Sequence, residues 1–460
     1  MGWRIAVAAL AVAAYAAGLG GPFQFDDYDA IVRYAPVQSL HAFFAAHAWG
    51  LRPLLKLTYA ACASLGSGPP VFHLFNLGVH LVNTELVFRL VRFAGRVAAA
   101  GTASVSRAAD PGASERPALA AATLFALHPL QTEAVTYVSG RSSSLMAFFA
   151  LLALFFHANG VRTGRAWLWA AAAPAAFVAA VLVKETAGIL PLGLLAWDLL
   201  IERSRPRPLL ARLALGGSIA AGLGVLAVLD AHYFSLLLGV VGARPLVEAA
   251  RYQLGGIAYL ASRAVLVAPL SIDPGLGLRP PSAAALLAGA AVMALALATA
   301  VGQRRRRPLV AFGAAWFLVH AFVPYVLFPR DDVVNERHFY LASFGVFAAA
   351  GAAWDEVARR AGRTRRGQRV AAAFPGAVAL ALALLTARRN LEYRSPVVLW
   401  ESTVRASPQN PRAHNNLGVA YAAARRPYDA RAEFERALAL EPRYESPRRN
   451  LRQLEAAKAP

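Results

Sequence analysis

Long hydrophobic runs alternate with short basic and polar segments along most of the chain. The runs are about 17–23 residues long, which is the length that a helix needs to cross about 30 Å of hydrocarbon. The pattern therefore predicts a polytopic helix bundle with about eleven membrane spans, give or take two. The candidate spans are 3–20, 70–92, 118–137, 141–160, 165–183, 187–202, 208–230, 282–301, 309–328, 338–355 and 370–387.

Two further apolar stretches do not fit this count. Residues 53–66 are too short to cross, and residues 253–270 are apolar enough to cross but carry Arg263 in their middle. We expect 231–270 to lie on or dip into the outer face, or to cross twice. The first run, 3–20, could also be read as a cleaved signal peptide, but it is long enough to remain as an anchor.

Composition agrees with a membrane protein. The chain is 57% hydrophobic, against about 45–50% apolar residues in an average soluble domain. The net charge of +21 could indicate a nucleic-acid partner, but the basic residues form short runs between hydrophobic blocks. That arrangement is the positive-inside pattern, and we expect no nucleic acid as a partner. The abundance of Arg and Ala favours a bacterial source and therefore the inner membrane. The single Cys62 excludes a disulfide within one chain.

The basic segments also predict sidedness. With the Arg-rich segments in the cytoplasm, five parts of the chain fall on the outer, non-cytoplasmic side. These are Asp26-Asp27, His128–Gly140, Lys184-Glu185, Asp331–His338 and the whole C-terminus.

The composition changes after residue 387. Residues 1–387 form the predicted membrane domain, and residues 388–460 are more polar and are punctuated by Pro. Within 411–444 the residues follow the 34-residue tetratricopeptide-repeat pattern, in which small residues let two helices approach and Pro ends the second. A repeat of this kind could dock a protein partner or cap the bundle. Its signature positions are Leu417, Gly418, Tyr421, Ala430, Phe434, Ala437 and Pro442.

The acidic pair Asp26-Asp27 follows the first hydrophobic run. Carboxylates close to a bilayer cost free energy, so a membrane protein that keeps two of them side by side usually uses them. A carboxylate can take the acceptor proton when a sugar is transferred to a hydroxyl, and a second one can raise its proton affinity or position a metal or the acceptor. The alternative is a solvated acidic loop.

Four cations lie beside hydrophobic runs on the same predicted side, namely Arg52, Arg141, Lys184 and Arg337. Together they could clamp the phosphate of a lipid-linked donor. Each could instead extend its charge to the membrane surface, and Lys184 could simply pair with Glu185.

Two polar patterns lie in the spans. Pro129, after His128, should break a helix at a protein-lined position. Glu133, Tyr137 and Arg141 are then spaced by four on one helical face, so Glu133 could accept from a sugar or acceptor hydroxyl or pair with Arg141. The second pattern places four polar residues on one stripe of the 70–92 helix, where we expect interhelical hydrogen bonds rather than a metal site. They are His73, Asn76, His80 and Asn83.

Six motifs and the C-terminal repeat, in this order, resemble the transmembrane and tetratricopeptide-repeat O-mannosyltransferases and their bacterial relatives, which are C-type glycosyltransferases. The resemblance covers essentially the whole chain. The motifs are Phe-Asp-Asp-Tyr-Asp-Ala-Ile from residue 25, Leu-Arg-Pro-Leu from 51, Phe-His-Leu-Phe-Asn-Leu-Gly-Val-His from 72, His-Pro-Leu-Gln-Thr-Glu-Ala-Val from 128, Val-Lys-Glu-Thr from 183 and Glu-Arg-His-Phe-Tyr-Leu from 336.

The resemblance implies a polyprenyl-phosphate sugar donor and inverting transfer to a Ser or Thr hydroxyl on the non-cytoplasmic side. It implies that Asp26 is the base and Asp27 its partner, and that Arg52, Arg141, Lys184 and Arg337 hold the phosphate. Sugar- and acceptor-binding roles fall to His128, Glu133, Glu185 and Glu336. The repeat array is short, so the acceptor could be a glycan instead of a protein. No residue motif fixes the sugar as mannose or requires a divalent metal.

Two other functions stay open at this point. A non-catalytic membrane scaffold would dock partners through the repeat and would tolerate replacement of Asp26. A transporter or flippase would use the intramembrane charges as a pathway and would favour internal repeats, but the two halves of the membrane domain show no self-similarity.

Overall fold

The computed structural model describes residues 2–46, 50–66, 68–100, 114–203, 216–217, 244–330 and 332–456, and within these ranges the regular elements are helical. The first helices are α1 Gly2–Ala16, α2 Leu40–Ala45, α3 Pro53–Leu65, α4 Pro69–Ala100, α5 Glu115–Leu127, α6 Thr132–Val135, α7 Arg141–Thr163, α8 Ala173–Val183 and α9 Leu190–Trp197. The later ones are α10 Leu246–Leu266, α11 Ala283–Gly302, α12 Pro308–Ala321, α13 Val323–Leu327, α14 Phe339–Ala361, α15 Arg365–Glu392, α16 Pro396–Ala406, α17 Pro411–Ala423, α18 Pro427–Leu440 and α19 Glu445–Ala456.

Apolar helices dominate the described part of the chain. Ten of the candidate spans overlap with helices, although the helix in 118–137 ends at Leu127, and 208–230 lies almost wholly outside the described residues. Among the described residues, five helices are long and apolar enough to cross a membrane, and two shorter ones, Gly2–Ala16 and Leu168–Val183, are also apolar. The chain is thus an integral membrane protein by this measure, while the count of eleven spans stays a prediction. The five are Pro69–Val97, Val138–Thr163, Ala283–Gly302, Pro308–Leu327 and Arg365–Glu392.

The two stretches that fitted the count poorly are also helical. Residues Pro53–Leu65 form a helix of 13 residues, which is too short to cross. Within 231–270, Leu246–Leu266 forms one continuous helix, and residues 231–243 lie outside the described part. Gln253 of this helix donates to the carbonyl oxygen of Ala321 at 2.8 Å, which joins α10 to α12.

The polar stripe of α4 joins the helices around it. His73 contacts the carbonyl of Gly21 at 3.1 Å, and Asn76 donates to the carbonyl of Val135 at 3.1 Å. His80 contacts the Tyr340 hydroxyl at 2.7 Å, and Asn83 donates to the Ser144 carbonyl at 2.9 Å. These side chains are buried. These contacts confirm the expectation of interhelical hydrogen bonds. Such bonds are expected because a buried polar group without a partner costs free energy.

The predicted break at Pro129 is present, and α5 ends at Leu127. Two carbonyl groups at this end lack partners within the helix. The carbonyl of Ala126 contacts His80 at 3.0 Å, and the carbonyl of Leu127 accepts from the Thr386 hydroxyl at 2.7 Å. Neighbouring helices therefore satisfy the broken end, which allows the chain to turn inside the bundle.

The expectation of one helical face for Glu133, Tyr137 and Arg141 is wrong. Residues 129–140 form a 3₁₀ turn, the short helix α6 and a second 3₁₀ turn, Val138–Gly140. The chain returns on itself so closely that a Cβ on Gly140 would lie 2.0 Å from the carbonyl oxygen of Glu133. Only glycine fits this approach, and the return separates the three side chains that a continuous helix would have aligned.

The C-terminal helices α16 to α19 pack in sequence against one another. Gly418 of α17 lies against the ring of Phe434 on α18, with 2.6 Å between its ideal Cβ position and the ring. Ala430, Phe434 and Ala437 are buried beside it. This packing is what the small and large positions of the motif require, and the assignment as a tetratricopeptide repeat stays a prediction.

Replacing Gly418 with Leu should loosen the C-terminal helices, because the new side chain would overlap the Phe434 ring. We expect a cost of about 1–3 kcal/mol. Limited trypsin digestion across a temperature series measures it, with cleavage between α17 and α18 appearing at lower temperature than in wild type. The control is Val419→Leu, at a 47% exposed position on the same helix. Equal protease resistance of the two variants would contradict the close approach.

Candidate active site

One cavity is lined by five separate parts of the chain, four of which contribute charged groups. It has a volume of about 370 Å³ and lies among the 26–34 loop, α3, the start of α7, Lys184 and the 330–338 segment. We call the end of the bundle that carries it the cavity end. Two carboxylates, Asp26 and Asp29, line it. The cations that line it are Arg52, Lys56, Lys184, Arg330 and Arg337.

Asp26 is the carboxylate that opens into this cavity, and its side chain is exposed there. Its backbone N–H donates to the hydroxyl of Tyr137 at 3.1 Å, which fixes the loop against the 129–140 turns. Partial burial raises the pKa of the Asp26 carboxyl above its ordinary value, although nearby Arg337 and Tyr137 lower it. A carboxyl with a raised pKa is a stronger base once ionised.

Asp27 points the other way and is 1% exposed. It accepts from the backbone N–H of Gln24 at 2.9 Å, and from the N–H and hydroxyl of Ser139 at 2.7 and 2.5 Å. Burial raises the pKa of Asp27 to about 7, against the lowering effect of these hydrogen bonds. Asp27 therefore holds the loop in place and does not line the cavity.

Arg337 is held by Glu133. The guanidinium forms an ion pair with the Glu133 carboxylate, and the backbone N–H of Arg337 donates to the same carboxylate at 2.8 Å. Glu133 is fully buried. The Arg337 guanidinium therefore compensates a negative charge that would be costly in the protein interior without a partner. The predicted alternative partner of Glu133, Arg141, is not its partner.

Arg52 is held in the same manner by Glu185. Its Nε and Nη2 atoms donate to the two carboxylate oxygens at 2.9 and 2.5 Å, and Arg330 lies 3.5 Å from one of these oxygens. Burial alone would raise the pKa of Glu185, but the Arg52 pair lowers it to about 2. Glu185 thus stays ionised and orients two cations at the cavity wall.

Lys184 is 2% exposed at the cavity wall and donates to the Ser143 hydroxyl at 3.0 Å. The predicted alternative of a local pair with Glu185 is wrong, since Glu185 pairs with Arg52. Burial, together with the neighbouring charges of Arg52 and Arg337, lowers the pKa of Lys184 well below its usual value. An anion in the cavity would favour the charged form of this amino group.

The structure places Arg141 behind the cavity wall instead of in it. The side chain is 0% exposed and donates to the Asn76 amide oxygen at 2.6 Å and to the backbone carbonyls of Thr58 and Phe72, each at 3.1 Å. Its guanidinium also lies 4.8 Å from the ring centroid of Tyr59, which does line the cavity. These contacts occupy the guanidinium and give no support to a phosphate-binding role.

The four candidates for sugar or acceptor binding do not line this cavity either. Glu133 and Glu185 hold arginines, as described above. His128 contacts the Ala264 carbonyl at 3.1 Å, and Glu336 accepts from the Ser271 N–H at 2.6 Å and from the Tyr259 hydroxyl at 3.0 Å. Each of the four therefore has a partner inside the protein.

Two cavity cations, Lys56 and Arg330, were missed by the sequence analysis. A compositional signal was available, because only three of the 47 basic residues are Lys. Two of those three, Lys56 and Lys184, line the cavity. Tyr137, noted only as part of a spacing pattern, also belongs to the wall and bonds to the Asp26 backbone.

The described ranges contain no cluster of three or more His, Cys, Asp or Glu side chains arranged to hold a metal ion. No protein-family model matches the chain, and no solved structure matches it.

Comparison with curated proteins finds relatives that share one description. The chain is similar to protein O-mannosyl-transferases of animals. It is 26% identical over 486 aligned residues to Protein O-mannosyl-transferase TMTC4 of Mus musculus, a match covering 90% of this chain and 63% of that protein.

Two shorter matches carry the same description. Protein O-mannosyl-transferase TMTC4 of Homo sapiens is 30% identical over 35% of this chain and 23% of its own length. Protein O-mannosyl-transferase Tmtc2 of Drosophila melanogaster is 32% identical over 39% of this chain and 19% of its own length. The chain spans less than two thirds of the curated relatives it matches.

Replacing Arg337 with Gln should destabilise the protein by about 3–5 kcal/mol, because it leaves the Glu133 charge buried without a partner. Thermal unfolding in detergent measures the loss. The double variant Glu133→Gln, Arg337→Gln should recover most of it, since both members of the pair are then neutral. A single variant as stable as wild type would show that the pair does not hold this end of the bundle.

Proposed function

We propose that this chain is a membrane glycosyltransferase that moves a sugar from a polyprenyl-phosphate donor to a hydroxyl acceptor with inversion. One observation carries the proposal. An exposed carboxylate, Asp26, shares a cavity of about 370 Å³ with five cations, while the second carboxylate of the cavity, Asp29, is paired with Arg33. Transfer of a phosphate-linked sugar needs one base for the acceptor and positive charge at the leaving group, and the cavity offers both.

In the proposed reaction, Asp26 takes the proton of the acceptor hydroxyl as its oxygen bonds to the anomeric carbon. The bond from that carbon to the phosphate oxygen breaks, and its electrons leave with the polyprenyl phosphate. The leaving group departs as a stable anion and needs no proton from the protein. The acceptor attacks from the side opposite the phosphate, so the configuration at the anomeric carbon inverts.

The cations have different parts in this proposal. Lys184, Arg330, Arg337 and Lys56 would contact the donor phosphate, and Arg52 would set the position of this wall through Glu185. Asp27 would not exchange protons with substrate. It would hold the Asp26 loop against Ser139. Arg141 would support the wall from behind through Tyr59.

The donor lipid, the sugar and the acceptor also belong to the proposal. The relatives named above are O-mannosyl-transferases, which favours mannose as the sugar and a protein Ser or Thr as the acceptor. We further propose that the cavity and the C-terminal helices face the non-cytoplasmic side of a bacterial inner membrane, as the distribution of Arg predicts.

Replacing Asp26 with Asn should abolish transfer while membrane insertion and folding persist, because the change removes the base and barely alters volume. The assay gives the purified protein radiolabelled polyprenyl-phosphate mannose and an extract of periplasmic proteins and lipids. The matched control is Asp429→Asn, which removes an exposed carboxylate far along the chain in the C-terminal helices. Wild-type transfer by the Asp26 variant would refute the assignment of Asp26 as the base, whereas no transfer by the wild-type protein would favour the scaffold function.

Transfer should also fall as the pH drops. Protonated Asp26 cannot accept the hydroxyl proton, and its pKa is raised above the ordinary value of about 4. Asp27, with a pKa of about 7, also becomes protonated as the pH falls, and its hydrogen bond with Ser139 weakens. We expect the transfer rate to decline below about pH 7, with more than one proton involved. A rate that stays constant down to pH 5 would contradict this assignment.

A further inference from the structure

The C-terminal helices contact the loop that carries Asp26. Phe25, the residue before Asp26, meets the ring of Trp400 on α16 edge to face, with 5.4 Å between ring centroids and an angle of 74°. Trp400 is 4% exposed. Gln24 donates from its side chain to the carbonyl of Tyr393 at 3.2 Å, just before α16. The two residues that precede Asp26 are therefore both held by the segment 393–400.

The backbone conformation of Phe25 explains why these contacts are needed. Its φ angle is +45°, in the left-handed region that a bulky side chain rarely adopts. A conformation of this kind costs free energy and persists only when the surroundings impose it. The Trp400 ring, the Tyr393 carbonyl and the Tyr137 hydroxyl provide those surroundings.

The same helices also reach the cationic side of the cavity. Arg412 of α17 forms ion pairs with Asp273 at 2.7 Å and with Asp332 at 2.6 Å. Asn410 adds a hydrogen bond from its side chain to the Asp273 carbonyl at 2.9 Å. Asp332 belongs to the segment that carries the cavity cations Arg330 and Arg337.

We propose that Trp400 and Arg412 are positioning residues that set the separation between Asp26 and the cationic wall of the cavity. The proposal rests on the function proposed above and deepens it. The C-terminal helical domain then completes the catalytic geometry, in addition to any part it has in binding a partner. Neither side chain lines the cavity, so each acts through a neighbour.

The size of the effect follows from the geometry of transfer. A displacement of about 1 Å at the reacting groups can cost about 100-fold in rate. Removing the Trp400 ring should let the strained Phe25 backbone relax and carry Asp26 with it. Donor binding depends on the cations and should change little in that variant, whereas Arg412→Gln should also weaken donor binding because it frees the segment that carries Arg330 and Arg337.

The kinetic test compares Trp400→Leu with two other variants. We expect Trp400→Leu to lower kcat by about 10-fold or more with the donor KM nearly unchanged. The acid limb of the pH–rate profile of this variant should move to lower pH, because the displaced Asp26 carboxylate is better hydrated. Trp400→Phe keeps an aromatic ring against Phe25 and should recover much of the loss. The control is Phe434→Leu, which alters the core of the same helical domain at the contact between Phe434 and Gly418.

A second measurement does not depend on activity. Hydrogen exchange of the peptide covering residues 22–30 should be faster in Trp400→Leu than in wild type and unchanged in Phe434→Leu. Equal exchange and equal kcat in these two variants would overturn the positioning role. If wild type transfers no sugar, the proposed function fails, and faster exchange in Trp400→Leu alone still supports the control of the Asp26 loop by the C-terminal helices.

Discussion

Buried carboxylates paired with cations hold together the cavity end of the bundle. Glu133 fixes Arg337, and Glu185 fixes Arg52. Removing ions from water is costly, and the cost is met only when the partners fit closely and their remaining hydrogen-bonding groups are satisfied. The two pairs join segments far apart in the chain, 204 residues in one case and 133 in the other. The cavity wall therefore exists only in the folded bundle.

Much of this arrangement could be predicted from local patterns. Hydropathy predicted where the apolar helices lie, and the placement of Arg predicted that Asp26, Lys184 and Arg337 share one end of the bundle. These predictions depend on composition over whole segments, which a single chain displays. The spacing of the polar stripe on α4 was also sufficient to predict its interhelical hydrogen bonds, because an unbroken helix fixes which side chains share a face.

The prediction failed where the backbone leaves regular geometry. Pro129 signalled a break, but the close return at Gly140 could not be inferred from spacing, so the partner of Glu133 was misjudged. Asp26 and Asp27 are adjacent and chemically alike in sequence. Their different roles arise from a loop conformation that points one into the cavity and the other into hydrogen bonds with Ser139. Long-range partners such as Arg337 for Glu133 have no periodic signature.

The paired cations have a further consequence for charge balance in the proposed reaction. During transfer the net charge of the occupied site does not change, because Asp26 becomes neutral while the phosphodiester, with one negative charge, becomes a phosphate monoester with up to about two. When Asp26 later returns its proton to water, the occupied site becomes more negative by one charge. This additional negative charge close to the phosphate opposes the attraction of the cations and favours departure of the spent lipid carrier.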